Sequence, residues 1–253
     1  MTTPSRIAII TGGSRGIGRN TVLTLAERGV DTIFTYNTNQ AEADKVVAHA
    51  AGAGRRAVAL QLDVGDAGAL DGFVERVRRA LGELGAERFD FLVNNAGTSS
   101  GMGFQDATEA ELDSIFSVHF KGVFLLTQKL LPLINDGGRI VNISSALAQR
   151  PMAGRAVYGP MKAAVEALTR YMALELGPRR IAVNVVAPGA VATDFSGGIV
   201  RDNPEVNRMV AAHTSLGRAG LPEDIGPMIA SLLSEDNRWV NGQRIEVSGG
   251  MGF

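Results

Sequence analysis

Residues Thr11-Gly12-Gly13-Ser14-Arg15-Gly16-Ile17-Gly18 follow the apolar stretch Ile7-Ala8-Ile9-Ile10 and precede a segment in which Val22, Leu25 and Ala26 recur at helical spacing. A glycine-rich turn between a first strand and a first helix lets backbone N–H groups approach an anion closely. The helix N-terminus adds the positive end of its dipole at the same place. Such a turn suits the pyrophosphate of a dinucleotide, with Gly12, Ser14, Arg15, Gly16, Ile17 and Gly18 as the candidate contacts. Glycines 12, 16 and 18 leave a wider first gap than the G-x-G-x-x-G spacing.

Downstream, apolar β-branched runs alternate with helical patterns. Strands are expected near 6–10, 32–36, 57–62, 89–93, 139–143, 181–186 and 244–247. Helices are expected near 16–28, 40–51, 67–81, 108–131, 157–176 and 223–234. Alternation of this kind implies an α/β, doubly wound parallel sheet of the Rossmann type, about seven strands with helices on both faces. The 253 residues read as one nucleotide-binding and catalytic domain, and 45% hydrophobic residues supply an ample core. A net charge of −1 gives no electrostatic case for nucleic acid. With 0 Cys, thiolate nucleophiles, disulfides and Cys-ligated zinc are excluded, and His49, His119 and His213 lack metal-ligand spacing. No metal site is expected. No run reaches the roughly 18 apolar residues of a membrane span, and no apolar leader precedes the first strand. A cytoplasmic, membrane-free protein is the expectation.

Chemistry gathers at strand ends. Tyr158 and Lys162 stand at i and i+4 near the start of a strong helix and so share a face. A free phenol ionises near pH 10, and a neighbouring cation lowers that value. Tyr158 could then act as acid to a carbonyl oxygen or as base to an alcohol. The strand Ile140-Val141-Asn142-Ile143 runs into Ser144-Ser145, and Ser145 can donate to the same oxygen. Phe91-Leu92-Val93 runs into Asn94-Asn95-Ala96-Gly97, where both Asn side chains suit a ligand crevice. Ala187-Pro188-Gly189-Ala190-Val191-Ala192-Thr193 ends the sixth strand on a rigid turn and a hydroxyl. With the glycine turn after the first strand, four strand ends thus deliver polar groups to one sheet edge, where open α/β sheets bind ligands.

On these residues, together with Asp63-Val64 and Asn241-Gly242-Gln243, the chain resembles the short-chain dehydrogenase/reductase family from Arg6 onward. The resemblance implies an oxidoreductase acting on a small-molecule carbonyl or alcohol. It implies that Tyr158 transfers the proton, Ser145 orients the carbonyl, and Lys162 lowers the Tyr pKa and binds the nicotinamide ribose. Asp63 and Val64 resemble the adenine contacts, and Asn95, with Ala96 and Gly97, the cofactor cleft. Pro188 and Gly189 resemble the turn that precedes the carboxamide-binding positions, which Val191 and Thr193 resemble. One position departs from the pattern: His119 stands where many members carry an Asn thought to hold a water linking Lys162 to solvent. An imidazole can hold the same water, can add an ionisation near neutral pH, or can simply pack.

Cofactor choice turns on the end of the second strand, where an acid would bind ribose hydroxyls and repel a phosphate. Here Asn37 and Thr38 follow Tyr36, no carboxylate occurs before Glu42, and Arg15 offers a guanidinium. NADP(H) is expected over NAD(H). The Gly- and Pro-rich segment 188–221 reads as irregular, with a substrate lid at about 193–216. In the helix 157–176, Met161, Val165, Leu168 and Met172 are expected to face the sheet. Its other side, and the crowded helix 108–131, would then pack in a homotetramer or homodimer. A rival reading is a nucleotide-binding regulator or scaffold that keeps the fold without turnover.

Overall fold

The computed structural model describes residues 5–252. Its first strand, β1 (Ile7–Ile10), is wholly buried, and its alternate side chains enter two separate cores. Ile7 and Ile9 join one cluster, Ala8 and Ile10 the other, as the two-residue period of a strand requires. A strand buried on both faces must lie centrally, and β1 does. With β2 (Asp31–Tyr36), β3 (Ala57–Gln61), β4 (Phe89–Asn94), β5 (Ile134–Ile143), β6 (Ala182–Pro188) and β7 (Arg244–Val247) it forms a seven-stranded sheet in the order β3-β2-β1-β4-β5-β6-β7. All six pairings are parallel. This is the doubly wound α/β sheet that the alternating pattern predicts.

The helices α1 (Gly16–Glu27) and α2 (Gln40–Gly52) set Val22, Leu25, Ala43 and Val46 against one face. On the other face, α3 (Leu70–Glu83) contributes Phe73, Val77 and Leu81. Next come α4 (Glu109–Phe116), α5 (Gly122–Leu130), α6 (Tyr158–Glu175), α7 (Ile199–Asp202), α8 (Pro204–Ala212) and α9 (Pro222–Leu232). Of these, α5 and α6 cover the α3 face, and α9 returns to the α1 face with Ile225 and Ile229. Among the described residues no helix is long and apolar enough to cross a membrane.

Local chemistry moves several boundaries. Strand β5 starts at Ile134 rather than 139, because Ile134 pairs with Phe89 while Arg139 pairs with Phe91, and the residues between bulge out. The stretch expected as one helix over 108–131 is interrupted by a π-helical turn at Ser117–Lys121 between α4 and α5. There α5 begins on a glycine, since a Cβ at Gly122 would lie 2.3 Å from the Val64 carbonyl oxygen. The segment 188–221 is not irregular throughout: α7 and α8 lie inside it. Asn203 caps α8, its Oδ1 accepting from the backbone N–H of Glu205 and Val206 at 2.9 and 3.2 Å, and Pro204 takes the first helical position.

From β1 the chain winds outward through β2 and β3, then crosses to β4 on the other side of β1. The winding direction therefore reverses between β1 and β4. A crevice opens at the carboxyl ends of those two strands.

Candidate active site and nucleotide cleft

The glycine turn bridges that crevice. Gly12 and Gly16 take φ of +67° and +56°, where a side chain is strained. A Cβ at Gly18 would lie 2.1 Å from the Gly12 carbonyl oxygen, so only glycine lets α1 start this close to the turn. Thr35 accepts from the turn as well: Gly12 N–H donates to its hydroxyl at 2.9 Å and Gly13 N–H to its carbonyl at 2.8 Å. Across the crevice, Asn95 Nδ2 donates to the carbonyls of Thr11 and Gly12 at 2.8 and 3.1 Å. The Thr11 hydroxyl accepts from the N–H groups of Asn95 and Ala96, each at 2.9 Å. Arg15, at the N-cap of α1, makes no side-chain cap, so the positive helix end is left for an anion. A phosphate cradle needs close backbone, no Cβ and an uncapped helix start, and all three are present.

Other expected cofactor residues border the same cleft. Thr193 faces the turn, its Cγ2 lying 3.4 Å from where a Cβ on Gly16 would be. Asn37, Thr38 and Arg15 are exposed beside it, with no carboxylate among them. Asp63 is exposed and its Oδ1 accepts from Gly65 N–H at 2.8 Å, while Val64 is buried. A cavity of about 210 Å³ is lined by Gly189, Ala190 and Val191 together with Leu216 and Arg218. It adjoins the β6 exit and includes none of Ser145, Tyr158 and Lys162.

The proton-transfer candidates meet beside this cleft. Ser145 leaves the end of β5, and its hydroxyl lies near enough to Tyr158, at the first turn of α6, to draw the phenol's pKa down. The Lys162 ammonium, one helical turn on, lies 5.7 Å from the Tyr158 ring centre and donates to the Ile143 carbonyl at 2.8 Å. Burial pushes the phenol up to about 12, and it pushes the Lys162 ammonium down to about 7. Desolvation outweighs both the Ser145 hydroxyl and the Arg155 charge, so the net shift of the phenol is upward. The phenol stays protonated through the neutral range.

His119, in the π turn, is 1% exposed, and its ring meets Tyr158 edge-on at 5.2 Å. Its Nε2 lies 2.8 Å from the Thr98 carbonyl oxygen and 3.2 Å from the Thr98 N–H. The shorter contact assigns the proton to Nε2, which leaves buried Nδ1 an acceptor with no partner. Burial, and next the Lys162 charge, push this imidazole down to about 3. It therefore carries no ionisation near neutral pH.

The family model described as "Enoyl-(Acyl carrier protein) reductase" matches residues 12–252. An uncharacterized oxidoreductase of Methylorubrum extorquens is 39% identical over 246 residues, 97% of this chain and 97% of its own. LugOII, titled a promiscuous reductase catalysing keto-reduction at C1 during lugdunomycin biosynthesis, superposes with a TM-score of 0.94 at 35% identity, covering 100% of both chains. A short chain dehydrogenase from Burkholderia cenocepacia in complex with NADP superposes with a TM-score of 0.89 at 34% identity, covering 98% of each. The chain belongs to the short-chain dehydrogenase/reductase family.

Within this short-chain dehydrogenase/reductase fold, two readings made from the sequence need correction and one network went unread. Asn94 does not face the crevice. Its Nδ2 donates to Asn142 Oδ1 at 2.8 Å and to the Thr127 hydroxyl at 3.0 Å, stitching β4, β5 and α5 together. Second, the buried face of α6 is not the apolar row Met161, Val165, Leu168 and Met172; only Val165 of these is fully buried. Lys162, Glu166, Thr169 and Ala173 are buried beside it.

Third, sequence reasoning missed an ion network behind the site. Glu166 Oε1 accepts from the Ser144 hydroxyl at 2.7 Å and from Arg244 Nε at 2.8 Å. Arg244 also pairs with Glu246 at 2.9 Å, and Glu246 with Arg150 on the segment after Ser145. Strand β7 thereby holds both the Ser144-Ser145 step and the middle of α6. No local motif marks Glu166 or Arg244; the one sequence signal is a carboxylate a turn beyond Lys162.

Proposed function

We propose that this chain interconverts a carbonyl and a secondary alcohol with NADP(H) as cofactor, and that Tyr158 is the group exchanging the proton. The observation that carries this reading is the convergence of the Ser145 and Tyr158 hydroxyls with the buried Lys162 ammonium at the crevice edge. The cradle at Gly12, Gly16 and Gly18 with Arg15, Asn37 and Thr38 beside it fits a phosphorylated dinucleotide, and a relative at 34% identity is in complex with NADP. When bound, NADPH supplies the hydride that the carbonyl carbon accepts. Ser145 donates a hydrogen bond to the carbonyl oxygen, and Tyr158 gives that oxygen its proton, leaving an alcohol. A phenol at about 12 is the protonated donor that reduction requires. In the oxidative direction it would first have to lose that proton.

Lys162 stands beside the Tyr158 ring, and its position beside the cleft suits a ribose contact. Asp63 and Val64 would contact adenine, and Asn95, Ala96, Gly97, Pro188, Gly189, Val191 and Thr193 would line the cleft. His119 fits a relay to Lys162 better than packing alone, because its bare Nδ1 is a buried acceptor that no protein donor fills. The segment 193–216 would close over the substrate. A homodimer or homotetramer would cover Phe116 and Phe124 beside the π turn and Tyr171 and Leu174 on α6, all exposed. A cytoplasmic setting completes the reading.

The test is loss of NADPH absorbance with a panel of ketones, aldehydes and one enoyl thioester, with NADH in parallel. Turnover of a ketone with NADPH supports the proposal. NADPH binding with no turnover of any carbonyl would instead mean a nucleotide-binding regulator, and preference for the enoyl thioester would move the reaction to a C=C bond.

A further inference from the structure

Several of the large apolar side chains left exposed among the described residues lie on the segments that leave the carboxyl ends of the sheet. Met102 and Phe104 follow β4, Met152 follows β5, and Phe195, Ile199 and Met209 follow β6. Single exposed apolar residues are ordinary, but a set drawn from three segments at one sheet edge marks a binding surface. Contacts tie these segments to the site. The Phe195 ring lies 6.0 Å from the Tyr158 ring, tilted by 56°. The β4 and β5 segments meet where Arg155 Nη1 donates to the Ser100 carbonyl at 2.6 Å, and where a Cβ on Gly154 would lie 3.3 Å from the Gly101 carbonyl oxygen.

Most charge around this edge is paired within the protein, and Arg155, which no carboxylate among the described residues pairs, is turned onto the Ser100 carbonyl. Arg201 pairs with Asp194 and Asp202, Arg218 with Asp224, and Arg150 with Glu246. The segment 98–104 carries no charged residue at all. A phosphorylated thioester arm would need cations here, and a sugar would need an array of donors and acceptors. What the edge offers is the exposed aromatic face of Phe195 and a thioether-rich rim, and Met side chains adapt to irregular apolar shapes.

We propose that the substrate is an apolar ring ketone of the fused aryl type, its ring packed on Phe195 while its carbonyl oxygen reaches Ser145 and Tyr158. This rests on the carbonyl reduction proposed above and names its substrate class. Offset ring packing recognises a planar aryl group in a way that an aliphatic ring cannot reproduce.

Steady-state NADPH oxidation with 2-tetralone, cyclohexanone and acetoacetyl-CoA tests it, in the wild-type enzyme and in Phe195→Ala. Phe195 is 42% exposed, so the substitution leaves the core intact. The expected result is a kcat/KM for 2-tetralone at least about tenfold above both other substrates, the scale of a few extra buried carbons in a pocket. Phe195→Ala should raise KM for 2-tetralone at least about tenfold and lower that aryl preference. Efficient reduction of acetoacetyl-CoA or cyclohexanone with poor use of 2-tetralone overturns the substrate class and leaves the carbonyl reaction standing. An equal loss on all three substrates in Phe195→Ala overturns the packing on Phe195. No reduction of any ketone while NADPH binds overturns the reaction and this inference together.

Discussion

Replacing His119 with Asn is expected to blunt the loss of folding stability in acid. In the folded protein the imidazole is pushed down to about 3 by burial and by Lys162, whereas an unfolded chain protonates it near 6.5. Between those values the unfolded state holds a proton that the folded state lacks, so stability falls as pH drops through the window. At pH 5 the linkage amounts to RT ln[(1 + 10^1.5)/(1 + 10^−2)], about 2 kcal/mol, relative to a chain without this group. Asn keeps a side-chain amide that can donate to the Thr98 carbonyl but does not titrate. Urea unfolding followed by far-UV circular dichroism at pH 7.5 and pH 5 measures the effect. Wild type should lose about 2 kcal/mol more than His119→Asn between the two pH values. Equal losses would mean that His119 is not held neutral in the folded protein, and the burial argument would fail. The comparison uses the change with pH, so a constant packing cost of the substitution cancels.

Arg15→Ala should weaken NADPH binding about ten- to hundredfold, the worth of one charge-assisted hydrogen bond, with little change for NADH; an unchanged NADPH affinity in titration would remove Arg15 from cofactor choice. Glu166→Ala should cost about 1–3 kcal/mol in chemical unfolding, since it removes the acceptor of the buried Ser144 hydroxyl and one of the two carboxylates paired with Arg244, leaving Glu246; a cost near zero would show that water and Glu246 replace it. Alcohol oxidation should accelerate as pH rises toward the Tyr158 value of about 12, while carbonyl reduction stays level through neutrality, so an oxidation rate flat between pH 7 and 10 would speak against Tyr158 as the base.

Much of this architecture is legible in the chain because burial on both faces leaves a plain mark. Ile7 to Ile10 reads as a buried strand and is one, and the turn at Gly12, Gly16 and Gly18 reads as a close backbone approach, which the 2.1 Å clearance at Gly18 bears out. Asn94 and Asn95 show where such reading stops. Successive residues of a strand point to opposite faces, so one Asn enters the core and its neighbour ties the glycine turn, though their side chains are chemically identical. Glu166 and Arg244 join elements 78 residues apart, and no local pattern signals the pairing. Helix α8 goes unread in the sequence, although Asn203-Pro204 followed by Glu205 is a helix start, because the glycines on either side obscure it. The shift of Tyr158 upward is not legible either, because it depends on how completely the rest of the fold covers the phenol.

Tyr158→Phe tests the central claim most directly. The substitution removes one hydroxyl and keeps the ring that packs against His119 and Phe195 at 5.2 and 6.0 Å. With the best ketone found, kcat should fall at least about hundredfold, the usual scale for losing a general acid, while NADPH affinity measured by fluorescence titration stays within about threefold of wild type. A variant that reduces the same ketone at close to the wild-type rate would contradict the assignment of proton transfer to Tyr158.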